Sequence, residues 1–513
     1  MRKKIAAVDI GTNSFHLVVA RFDPRTSKFK ILDREKEIVR LGSSSSDMKY
    51  LTAEAMDRGI ETLKQFKRIS DSHGAFIRAI GTSAVREALN RDRFISRVRS
   101  ETGINIEVVS GYEEARLIYL GVLQALPLFH RRMLMIDIGG GSTEFLVGER
   151  REVHYSNSLK LGAIRLTRMF FEGGELTDKA VKKCRKYISG MLIPVVRDVS
   201  KYGFEIAVGS SGTVLNALQI AREKRAGEGS MWMNGLILKS KDLDKAVEKV
   251  IKASKPAKIA DIPGADPRRA DILGAGLIIL EQIFSEFGIK QMTVSDFALR
   301  EGILLDTIEK RSGLRTQGYL RDVKYKSIIH LAGSFNIDRQ HALSVSKLAL
   351  RMFDQLRPLH GLEPADREYL EYAAILHDIG MFVSHSQHHR HTYYLIRNSE
   401  LLGFTENDKE IIANIARYHR KSHPRIKHEG FSNLAEDDRK KVCLLSSILR
   451  IADGLDRSHA SAVANIDCKI KGGKVVCRLE TGSKPLTGLE IWGAERKKQL
   501  FEEVFEKKIV FEK

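Results

Sequence analysis

A chain of 513 residues is too long for one hydrophobic core, so several domains are expected. Its 43% hydrophobic and 29% charged residues are ordinary for a globular protein, which excludes a chain disordered throughout. The net charge of +20 is not ordinary and points to a polyanionic partner: nucleic acid, an anionic membrane surface or polyphosphate.

The chain opens with "MRKKIAAVDIG", whose apolar run is cut short by Asp9 and Gly11; it reads as a strand and not as a signal peptide. A glycine turn and a second strand, Leu17-Val18-Val19, follow. "KFKILDREKEIVRLG" continues as strand, and Met56, Ile60, Leu63, Phe66 and Ile69 then recur at helical spacing. "FIRAIGTSAVREAL" is strand, turn and helix, with Thr82 and Ser83 placed to cap the helix that carries Arg86. "INIEVVSGYEEARLIYLGVLQAL" repeats the scheme: a strand to Val109, a Ser-Gly turn, and a helix opening at Glu113 and Glu114.

The stretch "MIDIGGGSTEFLVG" begins a second unit and repeats the first hairpin without a gap. Asp9-Ile10-Gly11 matches Asp137-Ile138-Gly139, and Ser14 falls where Ser142 falls. A turn without Cβ atoms lets backbone N–H groups crowd round an anion, and the lysine of a Walker loop is absent. Two such hairpins facing each other would form a cleft between related domains; two ordinary β-hairpins are the plainer alternative, against which the duplication weighs. "IAVGSSGTVLNAL" adds another strand, small-residue turn and helix, and in "VSDFALREGIL" Arg300 and Glu301 start a further helix. Alternating strands and helices favour an α/β class.

From about Gly313 long amphipathic helices take over, as in "RQHALSVSKLALRMFDQL" and "DREYLEYAAILHDIG". The last fifty residues return to short strands round Gly472-Gly473, plus the helix "GAERKKQLFEEVF". Four scattered cysteines give neither a disulfide framework nor a CxxC pair, which fits a reducing cytoplasm. No apolar run is long enough to span a bilayer. The expected divisions are residues 1–125, 126–312, 313–463 and 464–513.

Asp9 and Asp137 each end a strand at a turn, where a carboxylate can hold Mg²⁺ or its waters beside phosphate. Glu144 closes the GGGSTE turn and Glu114 opens a helix of the first unit; either can orient or deprotonate a water. No Cys, Ser-His or Lys nucleophile stands out, so direct in-line attack by water suffices. For Glu114, favourable electrostatics at a helix N-terminus is an equally simple reading and stays open.

"VDIGTNSFHLVVAR", "GTSAVREAL", "SGYEEARLIYLGV", "IDIGGGSTEFLVG", "GSSGT" and "ALREGIL", in this order, resemble the exopolyphosphatase and guanosine pentaphosphate phosphatase family over about the first 310 residues. The resemblance implies two ribonuclease-H-like, actin-type α/β domains, followed by an all-α HD-like domain and a small α+β C-terminal domain. It implies Glu114 as catalytic base, with Asp137 and Glu144 serving metal and water. Gly139, Gly140, Gly141 and Ser142 then match the phosphate loop, as do Thr12, Asn13 and Ser14 in the first copy. Arg86 matches an arginine that meets the phosphate chain, Gly209, Ser210 and Ser211 match a second phosphate turn, and Arg300 matches the "LREG" arginine. Asp9, Asp137 and Glu144 would hold Mg²⁺ in the cleft.

In the helical part, His341, the pair His377-Asp378 and Asp453 resemble in their order the HD phosphohydrolase superfamily, whose ligands converge from separate helices. His391 and His419 fall where members with two metals place further ligands, so a second divalent metal belongs to the expectation. The histidine-rich run "HSQHHRHTYY" also reads as a basic surface loop.

The resulting expectation is a cytoplasmic, Mg²⁺-dependent phosphoanhydride hydrolase, a homodimer. It would act on inorganic polyphosphate, on pppGpp or on both, with neither nucleic acid nor membrane as partner. A kinase on the same fold, a non-catalytic polyphosphate or alarmone sensor, and a hydrolase whose activity lies in the HD-like part are the competing readings.

Overall fold

The computed structural model describes residues 4–512 apart from 24–27, 44–48, 224–232, 313–316, 400, 402–403 and 482–487. The chain forms two compact units, Met1–Leu320 and Arg321–Lys513. The expected boundary at Gly313 lies outside the described residues.

The first unit contains two sheets. One is built from β1 (Lys4–Ile10), β2 (Phe15–Asp23), β3 (Lys28–Glu37), β4 (Phe76–Gly81) and β5 (Ile106–Val108), in the order β3-β2-β1-β4-β5. The other is built from β6 (Met133–Ile138), β7 (Thr143–Glu149), β8 (Glu152–Leu159), β9 (Ile206–Ser210), β10 (Ile237–Lys239) and β11 (Gln291–Val294). Read from β8, its order is β8-β7-β6-β9-β11-β10, so the duplication seen in the turns extends through both sheets. In each, the hairpin is antiparallel and the strand on its other side is parallel: β1 with β4, β6 with β9.

Helices cover both sheets for ordinary reasons. Thr52 caps the helix Ala53–Ser72 by accepting from the Ala55 N–H, and of the apolar positions read from the sequence Met56, Ile60, Leu63 and Phe66 are buried while Ile69 is half-buried. Ser110 caps the helix Gly111–Ala125 in the same way, its hydroxyl accepting from the Glu113 N–H at 3.2 Å. Thr82 does not cap: its hydroxyl donates to the Ile10 carbonyl at 3.2 Å and ties the helix Ser83–Glu87 to the end of β1.

Helix Leu299–Ser312, at the end of the stretch assigned by sequence to the second domain, crosses back to the first. It lies against the helix Gly111–Ala125, and Ile303 and Leu304 share a core with Leu117, Ile118, Ile5 and Val18. Two glycines permit the crossing. A Cβ at Gly302 would stand 1.7 Å from the Leu117 carbonyl oxygen, and one at Gly121 would stand 2.2 Å from that of Ala298. Buried charges reinforce the contact: Arg116 and Arg78 both grip Asp306, at 2.7 and 2.6 Å.

The second unit is a helical bundle with a three-stranded sheet. Its main helices are Arg339–Gln355, Pro364–Leu376, His388–Asn398, Glu406–Arg417 and Glu436–Gly454. Strands β12 (Val463–Lys471), β13 (Lys474–Thr481) and β14 (Lys508–Glu512) pair in sequence order. The sheet does not form a core of its own: Ile466, Val475, Cys477 and Ile509 belong to the same cluster as Val345, Leu376 and Leu449. The Gln355 amide also donates to the Ile466 carbonyl at 3.0 Å. The stretch "GAERKKQLFEEVF" forms two helices rather than one, the second being Gln499–Phe505.

Candidate active site between two glycine hairpins

The two hairpins close with the same bond. The Gly11 N–H donates to the Ser14 carbonyl at 3.2 Å, and the Gly139 N–H donates to the Ser142 carbonyl at 2.9 Å. They lie against each other, since a Cβ on Gly140 would touch Thr12 at 3.2 Å and one on Gly141 would meet Ser83 Oγ at 2.4 Å. A clasp holds the lobes here: Arg165 donates to both carboxylate oxygens of Glu87 at 3.0 Å and to the Gly141 carbonyl at 2.9 Å, while Lys160 reaches Glu87 at 3.0 Å.

Carboxylates from both hairpins lie near enough to Glu114 to feel its charge. The Glu114 side chain is buried and receives Arg86 at 2.8 Å; Arg86 also donates to the Val109 carbonyl at 3.0 Å. Glu144, also buried, accepts from the hydroxyls of Ser142 and Ser158 at 2.6 and 2.9 Å. Asp137 pairs with Glu144 across the hairpin and accepts from the Ser210 hydroxyl. In the first copy Asp9 pairs with His16, so the acid of the second hairpin has an imidazole as its counterpart.

Burial, reinforced by Glu114 and Asp137, pushes the Asp9 carboxyl up to about 8. Burial, offset by the Ser210 hydroxyl and reinforced by Glu114, raises Asp137 to about 6. Burial and then Glu114 and Asp137 raise Glu144 well above the usual range. Burial raises Glu114 too, and Arg86 opposes the rise. A crowd of acids that repel one another is suited to a divalent cation. Among the described residues, however, no three of these carboxylates bring ligand oxygens within 4.8 Å, so the cleft suits an ion held by one or two carboxylates, water and phosphate, as Mg²⁺ is.

The acids carry a pH signature. Asp9 and Asp137 prefer the neutral form in the fold, so the stability they lend is complete below their ordinary value of 3.8 and lost as pH rises through 6 and then 8. In chelator-treated protein the melting temperature is expected to fall from about pH 5 to about pH 9, and Asp9→Asn is expected to flatten the upper half of that fall. Differential scanning calorimetry across this range reads both.

The turn Gly209 to Ser211, expected from the sequence to hold phosphate, is strained. Ser211 has a φ of +84°, rare for a residue with a side chain, and its buried hydroxyl has no hydrogen-bond partner among the described residues. It opens the helix Ser211–Ala221, and the first N–H groups of a helix are suited to receive an anion. Arg269 rests on this turn, for a Cβ on Gly212 would stand 1.5 Å from its guanidinium. Arg269 was not among the residues read from the sequence, nor was Lys36, whose ammonium burial and Arg269 push down to about 8. Lys36 lines a cavity of about 460 Å³ with Arg40 and Arg268. The doublet "PRR" was the available signal for Arg268 and Arg269; nothing marked Lys36 among so many lysines. Arg300 lies close enough to lower Asp9.

In the second unit His341, His377 and Asp453 form one group of potential ligands, and Asp378, His388 and His419 another. His391 joins neither: it is half-buried on the helix His388–Asn398, and His388, one turn earlier, takes the inward place. The run "HSQHHRHTYY" is therefore mostly helix, not surface loop, and His388 and His389 are buried.

The sequence pattern of the Ppx/GppA phosphatase family matches residues 18–311. The chain belongs to that family. Residues 323–488 match the family's domain III. Among solved structures, an exopolyphosphatase from Cytophaga hutchinsonii is 31% identical, with a TM-score of 0.55, covering 60% of this chain and 98% of its own. The Aquifex aeolicus Ppx/GppA family member is 27% identical with a TM-score of 0.51, covering 60% of this chain and 98% of its own. The family accounts for the two-sheet unit and its actin-like topology, and it marks the chain as a phosphatase. No helix among the described residues is long and apolar enough to cross a membrane.

Proposed function

We propose that the cleft of the first unit hydrolyses the terminal phosphoanhydride of inorganic polyphosphate, and of guanosine pentaphosphate, which ends in the same bond. The observation that carries this reading is the gathering of acids from both hairpins near Glu114, whose carboxylate accepts from Arg86 at 2.8 Å. Glu114 takes a proton from water, the water oxygen bonds to the terminal phosphorus, and the bridging P–O bond breaks toward the shortened chain. The N–H groups of Gly140 to Ser142, of Thr12 to Ser14 and of the Ser211 turn hold phosphate oxygens, and Arg86, Arg300 and Arg269 balance their charge. One or two of the carboxylates Asp9, Asp137 and Glu144, with water and phosphate, would hold Mg²⁺, which would supply neutralisation of the phosphate charge when bound. The exopolyphosphatase relative and the net charge of +20 both support a long polyanion as substrate.

The test is phosphate release by the purified full-length protein with Mg²⁺ from long-chain polyphosphate and from guanosine pentaphosphate, each at several salt concentrations. Release from polyphosphate is expected, with a rate at subsaturating substrate that falls steeply as salt rises. Release from neither substrate would exclude the reading.

A further inference from the structure

The hairpin of β12 and β13 sets two of the four cysteines opposite each other. Cys468 and Cys477 are partners in the antiparallel register, with Ile466 facing Leu479 two places before them and Ile470 facing Val475 two places after. Alternation along a strand puts all six side chains on one face of the sheet. Ile466, Cys468, Val475, Cys477 and Leu479 join the core of the second unit from that face. Both thiols are buried, Cys477 completely and Cys468 to within 6%.

The bonding at the free edge of β12 decides how close the two come. β12 is an outer strand of its sheet, and the helix Arg339–Gln355 satisfies that edge with side chains from three successive turns. Lys347 donates to the Ala464 carbonyl at 2.8 Å, and Arg351 and Gln355 donate to the Ile466 carbonyl at 3.4 and 3.0 Å. The Gln355 carboxamide oxygen accepts from the Cys468 N–H, so that N–H points away from β13. Cys468 and Cys477 therefore exchange no backbone hydrogen bonds. Such a pair has its Cα atoms about 4.5 Å apart and its side chains closest, a spacing that a disulfide spans.

The two sulfur atoms are 2.7 Å apart, closer than unbonded sulfurs rest. The Cys468 thiol and burial push the Cys477 thiol up, so Cys477 stays protonated and inert until the pair is uncovered. Uncovering is a local event. Lys469 to Lys474 form an exposed tip, turned by Gly472 and Gly473 at φ of +53° and +78°. Fraying from that end reaches the cysteines after three pairs of residues.

We propose that Cys468 and Cys477 form a reversible cross-strand disulfide, made by exchange with a low-molecular-weight disulfide of the glutathione class, and that this bond sets how firmly β12 is held to β13. Cys468, the less enclosed of the two, loses its proton and attacks one sulfur of the small disulfide. The other half departs as a thiol carrying that proton. The Cys477 sulfur then displaces the remaining half from Cys468, and this half leaves as a thiol with the Cys477 proton. One small disulfide is thus reduced to two thiols while the cysteine pair is oxidised by the same two electrons. The new bond closes a short loop of the chain and restricts its unfolded state. Nothing in the cleft of the first unit enters this chemistry.

The test incubates the folded full-length protein with excess glutathione disulfide, quenches with acid, blocks free thiols with N-ethylmaleimide and weighs the product. Cys468 and Cys477 are expected to escape the blocking reagent, and a tryptic digest is expected to join the peptides ending at Lys469 and Arg478. Dithiothreitol is expected to return both thiols. Calorimetry of the oxidised protein is expected to show the melting of the second unit raised by about 5–10 °C over the reduced protein. Cys477→Ala is expected to show no such rise and to keep glutathione on Cys468 as a mixed disulfide. Wild type in which both thiols stay free, or in which glutathione remains on Cys468 with no cross-link, overturns the proposal whether or not the variant folds. A cross-link that leaves the melting temperature unchanged overturns its role in holding the strands.

Discussion

Glu114→Gln is expected to lower the turnover of phosphate release from polyphosphate by about 10²–10⁴-fold while KM stays within a few fold. The amide keeps the shape and burial of the side chain but has no charge with which to accept a proton from water. Arg86, 2.8 Å away, loses its carboxylate partner and keeps its bond to the Val109 carbonyl, so the loop geometry should survive. The loss should therefore fall on turnover, which steady-state kinetics separates from binding. A raised KM with unchanged turnover would assign Glu114 to substrate binding, and an unchanged enzyme would return it to its plainer role at a helix N-terminus.

Asp306→Ala is expected to destabilise the first unit by about 3–5 kcal/mol, the cost of leaving buried charges without their partner. Burial alone would raise the Asp306 carboxyl, yet Lys310, Arg116 and Arg78 hold it well below its usual range. Arg116 retains Glu113 at 2.6 Å and Arg78 retains Glu107 at 2.9 Å, but each loses its bond to the fully enclosed carboxylate. Lys310→Ala removes a bridge of 3.0 Å from the same acid. Because the lysine is partly exposed, that change should cost no more than about 1 kcal/mol. Calorimetric unfolding of the two variants gives the ratio. Similar losses would show that helix Leu299–Ser312 is held by its apolar face and not by this network.

The parts of the site that were legible in the sequence are local. Asp-Ile-Gly-x-x-Ser, twice, encodes a strand, a turn and a strand within a few residues, and both hairpins close with the same bond. Ser110 caps its helix because hydroxyl and N–H are three residues apart. The rest depends on contacts that no short window contains. Arg269 reaches the Ser211 turn from some 60 residues away, and Asp306 meets Arg116 across 190. His388 and His391 differ only in helical phase, and the phase was not visible in a run so rich in histidine. Helix Leu299–Ser312 follows the second sheet in the chain but belongs by packing to the first, because Gly302 and Gly121 admit a backbone contact that sequence order does not announce.

The two hairpins repeat each other in backbone but not in side chains: Thr12 and Asn13 occupy one tip, and Gly140 and Gly141 the other. That inequality bears on how closely the lobes can approach. The tips touch and Glu87 is clasped by Arg165 and Lys160, so any parting of the lobes has to give up these contacts. Every atom added at the glycine tip would shorten the lifetime of the shut form, and every charge removed from the clasp would do the same. The bare backbone of two glycines thus helps set how tightly the two lobes close on each other.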